Sequence, residues 1–195
     1  MTLIDSRPGI KSVYDELSRQ TGVPIDSSLV VSRLGPPLES ELANWFRDGH
    51  VNEMADRYRA LYPELALPLI EPLSGAVDAI AAVRERGRAI VITAKNAHNA
   101  LLHVKSLGFT SDDVYGGVWR LGKTDVLRAE GADMYIGDHI HDMDAATAAD
   151  VLGVGVTTGP SSAADLREHG AAVVLGSLRE LRGHLSKRRF RPRRP

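Results

Sequence analysis

Short apolar strands alternate with helices from residue 72 onward, and only brief turns separate them. The clearest strand is Arg88-Ala89-Ile90-Val91-Ile92-Thr93, whose β-branched residues are typical of a strand buried on both faces. A helix precedes this strand, with Ser74 at its start and Gly87 just after its end. Repeated β-α units of this length predict a Rossmann-like α/β fold, in which helices cover both faces of a parallel sheet.

The remaining units continue the same alternation. We predict further strands near 114–115 and at 134–136, 153–156 and 172–175. We predict further helices at 96–107, 124–130, 142–149, 162–169 and 178–185. Because ligands bind outside the carboxyl ends of parallel strands, polar residues directly after these strands are candidate site residues.

Residues 11–71 lack this alternation and contain helical segments without a convincing buried strand. The apolar positions Val13, Leu17 and Trp45-Phe46 indicate a small helical domain, which Gly35-Pro36-Pro37 interrupts. We therefore predict an α/β core formed by residues 1–10 and 72–186. The helical domain at 11–71 would be an insert near the N-terminus that can act as a lid.

Composition excludes several classes of protein. The 195 residues contain no cysteine, which rules out disulfides, thiolate catalysis and thiolate metal sites and leaves oxygen and imidazole ligands. With 43% hydrophobic residues, the chain can form a real core. No apolar run approaches the roughly 20 residues that cross a bilayer, and the N-terminus lacks the features of a signal peptide. We therefore expect a cytoplasmic protein without a membrane partner.

The last nine residues, 187–195, are strongly basic. They hold six positive charges. Because the net charge of the whole chain is −1, the rest of the chain carries a net charge of about −7. Such a tail could bind nucleic acid or a membrane surface, but a charged segment with two prolines is more typical of a disordered, solvated end. We expect no nucleic-acid partner.

Two carboxylates follow the strand at 134–136. Asp138 comes directly after it, and Asp142 lies four residues later, at the start of the next helix. Mg²⁺ is commonly held by one or two carboxylates, with water and phosphate oxygens as its other ligands. The alternative is that Asp142 caps the helix and Asp138 is a loop residue.

Two more candidates stand near predicted strand ends. The Thr93 hydroxyl, with the amides of Ala94 and Lys95, can bind a phosphate oxygen, although a threonine here can also be a turn residue. Lys123 lies at the beginning of a helix, where the helix dipole disfavours a cation. This mild conflict points to a functional role, with a surface lysine as the alternative.

The chain resembles the haloacid dehalogenase superfamily, especially its phosphoglycolate-phosphatase-like members with a helical cap. The resemblance lies in the order of the candidate residues along the chain, which is Thr93, then Lys123, then Asp138 with Asp142. Ile90–Thr93 is similar to the second motif, Lys123 to the third and Gly137–Asp142 to the fourth. Thr2-Leu3-Ile4-Asp5-Ser6 is similar to the end of the first motif, and the resemblance extends to about residue 186.

The resemblance implies a phosphatase for small phosphorylated metabolites that acts through an aspartyl-phosphate. It implies that Thr93 binds the transferring phosphoryl group and that Lys123 neutralises charge on it. It further implies that Asp138 holds Mg²⁺ directly and that Asp142 supports that site. Residues 11–70 contain no motif that identifies the substrate.

The first motif of the family is only partly matched. If Thr2 aligns with its threonine, the family's nucleophilic aspartate, its acid/base aspartate and its central strand would all lie ahead of Met1. We expect a chain without them to leave a slot in the sheet, to fold poorly and to be inactive. We expect the reason to be a start codon assigned too late, with a natural truncation or deliberate shortening as the alternative.

Two other functions remain open from the sequence. Gly117–Thr124 matches the phosphate-binding loop pattern G-x-x-x-x-G-K-[ST] of NTP-binding proteins, although Val118, Trp119 and Leu121 are bulky for such a loop. A non-catalytic protein that binds a phosphorylated ligand is the second alternative.

His139 and His141 could suggest a transition-metal site beside these aspartates. Residues two apart point in different directions, so we expect them to shape the loop or meet substrate instead. Trp119 is expected to pack or to contact the cap.

Overall fold

The computed structural model describes residues 1–186, so the predicted basic tail lies outside the described residues. Five strands form two parallel sheets. In the first, β3 (Ile90–Ile92) pairs with β4 (Asp113–Tyr115). In the second, β6 (Leu152–Val156) lies between β5 (Met134–Gly137) and β7 (Val173–Leu175). The predicted α/β fold with parallel strands is confirmed.

Helices alternate with these strands along the chain. They are α5 (Ala76–Arg84), α6 (Ala97–Ser106), α7 (Leu121–Ala129), α8 (Ile140–Ala148), α9 (Ala163–Glu168) and α10 (Leu181–Leu185). None of the helices within residues 1–186 is both long enough and apolar enough to cross a membrane.

Four helix starts differ from the sequence prediction. Helix α10 begins at Leu181 rather than at residue 178, because Leu178–Glu180 form a 3-10 turn. Helix α7 begins at Leu121 rather than Thr124. Arg120 before it has a φ of 46°, which lies outside the right-handed helical region, so the helix cannot extend further toward the N-terminus. Helix α8 begins at Ile140 with His139 as its N-cap residue, and Asp142 completes the capping box from the third helical position. Helix α5 is preceded by Gly75 at a φ of 83°, a left-handed conformation that suits glycine better than Ser74.

Residues 7–69 are helical. They form α1 (Arg7–Thr21), α2 (Ser27–Ser32), α3 (Leu38–Leu42) and α4 (Val51–Leu65), with short 3-10 turns at Asp48–His50 and Leu67–Leu69. This helical segment has its own hydrophobic cluster, in which Tyr14 and Tyr58 pack with ring centroids 5.1 Å apart. Trp45 and Phe46 lie at the edge of this cluster and are only partly buried.

A short antiparallel ribbon joins the helical segment to the rest of the chain. Its strands are β1 (Ile4–Asp5) and β2 (Glu71–Pro72), and a hydrogen bond from Leu73 N–H to Leu3 C=O (2.9 Å) extends the pairing. The two passages of the chain between the helical segment and the α/β part therefore run side by side.

The second hydrophobic cluster lies around β6, where Val154 and Val156 are fully buried against residues such as Ile80 and Leu181. The strands β3 and β5 are less protected. Ile90, Val91 and all three apolar residues of β5 remain partly exposed, although their sequences are typical of buried strands.

A slot separates β3 from β5, and no strand among residues 1–186 fills it. The slot is a cavity of about 670 Å³, lined by consecutive residues of both strands, 90–92 and 134–136. Successive side chains of a strand point to opposite faces of the sheet. A cavity on one face would therefore be lined by every second residue, whereas a cavity lined by consecutive residues runs along the edge of the strand. The slot therefore exposes the unpaired edges of two strands to each other.

Candidate active site

A second cavity, of about 550 Å³, lies between the helical segment and the carboxyl ends of β3 and β5. The structure brings the predicted residues Thr93, Lys123, Asp138 and Asp142 together in the wall of this cavity. Its size suits a small ligand. Thr93 and Asp138 meet here because each directly follows one of the two strands.

Asp138 is 6% exposed, and among residues 1–186 its carboxylate pairs with the first two residues of the chain. Its Oδ1 accepts a hydrogen bond from the Thr2 hydroxyl at 2.6 Å, and its Oδ2 pairs with the amino group of Met1. Both partners are small polar groups, a hydroxyl and an amino group, of residues that line the cavity. Asp138 is therefore the carboxylate best placed to exchange its partners for a cation.

Asp142 is fully engaged by the protein. Its Oδ1 accepts from Lys123 Nζ at 2.5 Å and from the Tyr135 hydroxyl at 3.2 Å. Its Oδ2 accepts from the N–H groups of Asp138 and His139, both at 3.2 Å, which caps the first turn of α8. With all four acceptor positions used, Asp142 holds Lys123 and the Asp138 loop in place instead of offering a free lone pair.

Lys123 lies in the first turn of α7 and is 6% exposed. The Asp142 carboxylate offsets the unfavourable position of this cation at a helix start. Burial raises the pKa of the neighbouring Tyr135 well above its usual value, and Asp142 adds to the effect, so the phenol stays protonated. The pair of Lys123 and Asp142 is thus a rigid, buried element of the cavity wall.

Thr93 is half-buried at the end of β3. Its Oγ1 accepts from the Lys95 N–H at 3.1 Å, which leaves the hydroxyl proton available. Ala94 follows it in the cavity wall. A hydroxyl and an adjacent backbone amide at a strand end can together bind a phosphate oxygen.

The segment Gly117–Thr124 does not present the free amides of a phosphate-binding loop. The N–H groups of Gly117, Val118, Gly122 and Lys123 all donate to backbone carbonyls at 2.7–3.1 Å. The Thr124 hydroxyl is turned to the Ala145 carbonyl at 3.4 Å. This geometry argues against the NTP-binding alternative.

Residues 1–186 contain no group of three or more His, Asp or Glu side chains arranged to hold a metal ion. His139 and His141 have ring centroids 4.7 Å apart, but His139 Nδ1 accepts the His141 N–H and His141 Nδ1 contacts Asp144. These contacts shape the loop. The donor set suits Mg²⁺, which needs one or two carboxylates and keeps water ligands, better than a transition metal.

Trp119 connects the cavity wall to the helical segment. Its ring packs edge-on against His141 at 5.4 Å and also contacts His139. A Cβ on Gly35 would lie 3.5 Å from Trp119 and 3.2 Å from His139, so the Gly35-Pro36-Pro37 turn rests on these rings. The helical segment therefore closes one side of the cavity.

Sequence reasoning missed Gly159, which lies directly against Asp138. A Cβ at this position would overlap the Asp138 carboxylate. A lone glycine after a strand gives no signal of such a contact. Sequence reasoning also missed Tyr62, Asn99 and His103, which line the same cavity.

We expect Gly159→Ala to weaken Mg²⁺ binding by about tenfold, because the added methyl group must displace the Asp138 carboxylate. Isothermal titration of Mg²⁺ into the variant measures this. Gly183→Ala is the matched control, since a Cβ there meets nothing within 4 Å. Equal Mg²⁺ affinities in the two variants would show that Asp138 is not the ligand.

A family model described as haloacid dehalogenase-like hydrolase matches residues 1–156. No curated protein matches the chain.

Several solved structures share the fold. A haloacid dehalogenase-like family hydrolase from Streptococcus pneumoniae has a TM-score of 0.81 at 22% identity, covering 94% of this chain and 93% of its own. A predicted phosphoglycolate phosphatase from Haemophilus somnus has a TM-score of 0.79 at 15% identity, with coverages of 94% and 93%. A hydrolase of the same family from Deinococcus radiodurans, solved with bound phosphate and sodium, has a TM-score of 0.65 at 21% identity, with coverages of 95% and 91%.

Proposed function

Because this chain belongs to the haloacid dehalogenase-like hydrolase family, we propose that its cavity is the active site of a Mg²⁺-dependent phosphatase for small phosphorylated metabolites. The observation that carries the proposal is the meeting of Thr93, Lys123 and Asp138 at one cavity wall. These side chains offer a hydroxyl, a cation and a carboxylate, which are the groups needed to bind phosphate together with a divalent cation. The phosphate bound to the Deinococcus radiodurans protein and the phosphoglycolate phosphatase name of the Haemophilus somnus protein agree with this function.

In this proposal each residue has one role. The Thr93 hydroxyl and the Ala94 amide bind oxygens of the phosphoryl group, and Lys123 neutralises their charge. Asp142 fixes Lys123 through the 2.5 Å contact and holds the start of α8. Asp138 binds Mg²⁺ directly. When bound, Mg²⁺ supplies positive charge that screens the attack of one anion on another.

A phosphatase of this type also needs a carboxylate nucleophile. Four carboxylates among residues 1–186 line the cavity: Glu39, Glu41, Asp138 and Asp142. Glu39 pairs with Arg59, and Glu41 pairs with Arg33. Asp142 is occupied by its hydrogen bonds, and Asp138 is assigned to the metal. None of these four carboxylates is therefore available to attack the phosphorus atom.

We infer that the nucleophile reaches the cavity on an extended segment that fills the slot between β3 and β5. Thr2 and Leu3 line both the slot and the active-site cavity, so they lie where the two meet. Arg88 and Asp133 line the slot, whereas Thr93 and Asp138 line the active-site cavity. Both strands therefore run toward the site, and a segment that leads into Thr2 would run parallel to both.

Membership of the family implies the chemistry of such a segment. Its carboxylate attacks phosphorus, so that a new P–O bond forms and the bond to the ester oxygen breaks. A second carboxyl group gives its proton to the leaving oxygen and then takes one from the water that releases phosphate. The 195-residue chain alone is expected to bind phosphate without turning over an ester.

Phosphate binding by Lys123→Met tests the proposed function. We expect inorganic phosphate, titrated with Mg²⁺ present, to bind the variant at least tenfold more weakly, because a charge-assisted contact is lost. The exposed Lys105→Met is the matched control. Because Lys123→Met leaves the buried Asp142 unpaired and can destabilise the fold, the isosteric Thr93→Val provides a second test.

Two results would contradict the proposal. The first is unchanged phosphate affinity in both folded variants. The second is tight ATP binding by the wild-type chain that Lys123→Met abolishes while phosphate still binds, which would favour the NTP-binding alternative.

A further inference from the structure

The turn that leads into α7 contains a strained residue. Arg120 has a φ of 46° and a ψ of −117°, close to the values of about 60° and −120° at the second position of a type II′ turn. The Gly122 N–H donates to the Trp119 carbonyl at 3.1 Å, which is the hydrogen bond that closes such a turn. This position favours glycine, because a Cβ on a residue with positive φ crowds the backbone. An arginine here therefore needs other contacts that hold it in place.

The guanidinium group of Arg120 makes such contacts beside the active-site cavity. Its Nη2 lies 3.2 Å from Nε2 of His141, and its Cζ lies 6.0 Å from the centroid of the Trp119 ring. Because guanidinium nitrogens only donate hydrogen bonds, His141 accepts through Nε2 and carries its ring proton on Nδ1, which faces Asp144 Oδ2 at 3.2 Å. The side chain of Arg120 is thereby anchored to α8, the helix that also carries Asp142.

The backbone of Arg120 links a loop that is anchored to β3 with the helix that carries Lys123. The loop is anchored because the Val118 N–H donates to the Thr93 carbonyl at 2.9 Å. Helix α7 begins directly after Arg120 and carries Lys123 in its first turn. Since φ and ψ are the only soft torsions of the backbone, the torsions at Arg120 set the direction in which α7 leaves the anchored loop. They therefore set the position of Lys123 relative to Thr93.

We propose that Arg120 is a positioning residue, whose strained backbone conformation is held by the contact of its side chain with His141 and keeps Lys123 in place to bind the phosphoryl group. The proposal rests on the proposed function, in which Thr93 and Lys123 bind the same phosphoryl group. Trp119 and Lys123 line the active-site cavity, whereas Arg120 between them does not. Arg120 thus acts through Lys123 and does not touch the ligand.

Alanine and glycine at position 120 separate the effect of the backbone from that of the side chain. Both variants remove the contact with His141. Alanine keeps a Cβ, so we expect residue 120 to relax to a negative φ, a change of about 100° that moves the start of α7. Glycine adopts a positive φ without strain, so we expect it to keep the turn.

Phosphate binding reports the position of Lys123. Inorganic phosphate is titrated into each variant by calorimetry at pH 7 with Mg²⁺ present. We expect Arg120→Ala to bind phosphate at least fivefold more weakly than the wild-type chain, and Arg120→Gly to bind it within twofold of the wild-type affinity. Circular dichroism checks that the variants fold, and Arg120→Ser replaces Arg120→Ala if that variant does not.

Amide hydrogen exchange, followed by NMR, reports the turn itself. The Gly122 amide should exchange faster in Arg120→Ala than in the wild-type chain, because its hydrogen bond to the Trp119 carbonyl requires the turn. In Arg120→Gly its exchange rate should be unchanged.

Asp150 provides the matched control. It is the other non-glycine residue with a positive φ among residues 1–186, at 58°, and it is exposed and lies outside the cavity wall. Asp150→Ala therefore tests the same kind of backbone change away from the site, and we expect its phosphate affinity to stay within twofold of wild type. A loss equal to that in Arg120→Ala would attribute both losses to general destabilisation and overturn the inference.

Two further results would overturn it. Equal losses of phosphate affinity in Arg120→Ala and Arg120→Gly would show that the guanidinium group, and not the backbone conformation, is required. Unchanged affinity in Arg120→Ala would show that the turn does not position Lys123. In both cases the proposed function stands if Thr93→Val still loses phosphate. If phosphate does not bind the wild-type chain, the proposed function fails and this inference fails with it.

Discussion

Filling the slot between β3 and β5 with an apolar strand is expected to raise the melting temperature of the chain by about 10 °C or more. The slot of about 670 Å³ exposes the unpaired edges of both strands, and residues such as Ile90 and Ile136 in its walls remain partly exposed. An added strand would satisfy backbone groups on both sides and bury these side chains. We expect a net gain of about 3–6 kcal/mol in the free energy of unfolding, after the cost of ordering the segment.

The test is an extended chain in which Met1 is replaced by a new N-terminal segment. This segment consists of five apolar residues followed by Asp-x-Asp-Gly, and its glycine is joined to Thr2. The amino group that pairs with Asp138 Oδ2 is then replaced by a peptide bond, which frees this oxygen. We expect the extended chain to hydrolyse small phosphate esters in the presence of Mg²⁺. We expect no turnover by the 195-residue chain.

Two control extensions separate stability from chemistry. In one, the first aspartate is changed to asparagine, which should keep the gain in melting temperature and abolish hydrolysis. In the other, alternate apolar residues are changed to serine or lysine, which should abolish both. If the 195-residue chain hydrolyses phosphate esters as fast as the extended chain, the proposal that the nucleophile lies on the added segment is wrong.

The fold and the position of the site could be predicted because their signals are local. Apolar, β-branched runs mark β3 and β5, and a strand's carboxyl end is visible as the first polar residue after it. Thr93 and Asp138 follow such runs directly. Since parallel strands bring these ends to one edge, sequence order alone was enough to expect the two residues in one place.

Other features depend on contacts between distant elements and could not be predicted. The hydrogen bond from Lys95 to the Tyr62 hydroxyl joins α4 to a loop 33 residues away, and no periodic pattern links the two. The contact between Gly159 and Asp138 likewise has no local signature. The start of α7 is set by the φ of 46° at Arg120, a conformation that the sequence around this arginine does not indicate.

Asp142 illustrates a partial failure of sequence reasoning. The choice between a site residue and a helix-capping residue was posed as an alternative, yet the side chain does both. One oxygen holds Lys123, and the other accepts from the first amides of the α8 turn. The carboxylate has two oxygens with two acceptor positions each, so a single residue can serve both contacts.

The Mg²⁺ dependence of phosphate binding, measured in the wild-type chain and in Asp138→Asn, tests the central claim most directly. Asparagine has the shape of aspartate without its charge, so the 6% exposed side chain should remain in place. Asp125→Asn, at an exposed position of α7, is the matched control. Inorganic phosphate is titrated into each protein by calorimetry, with and without Mg²⁺.

We predict that Mg²⁺ strengthens phosphate binding at least tenfold in the wild-type chain and in Asp125→Asn, and that Asp138→Asn loses this enhancement, because the metal loses its charged ligand. An enhancement that persists in Asp138→Asn, or one that is absent from the wild-type chain, would contradict the assignment of this cavity as a Mg²⁺-dependent phosphate site.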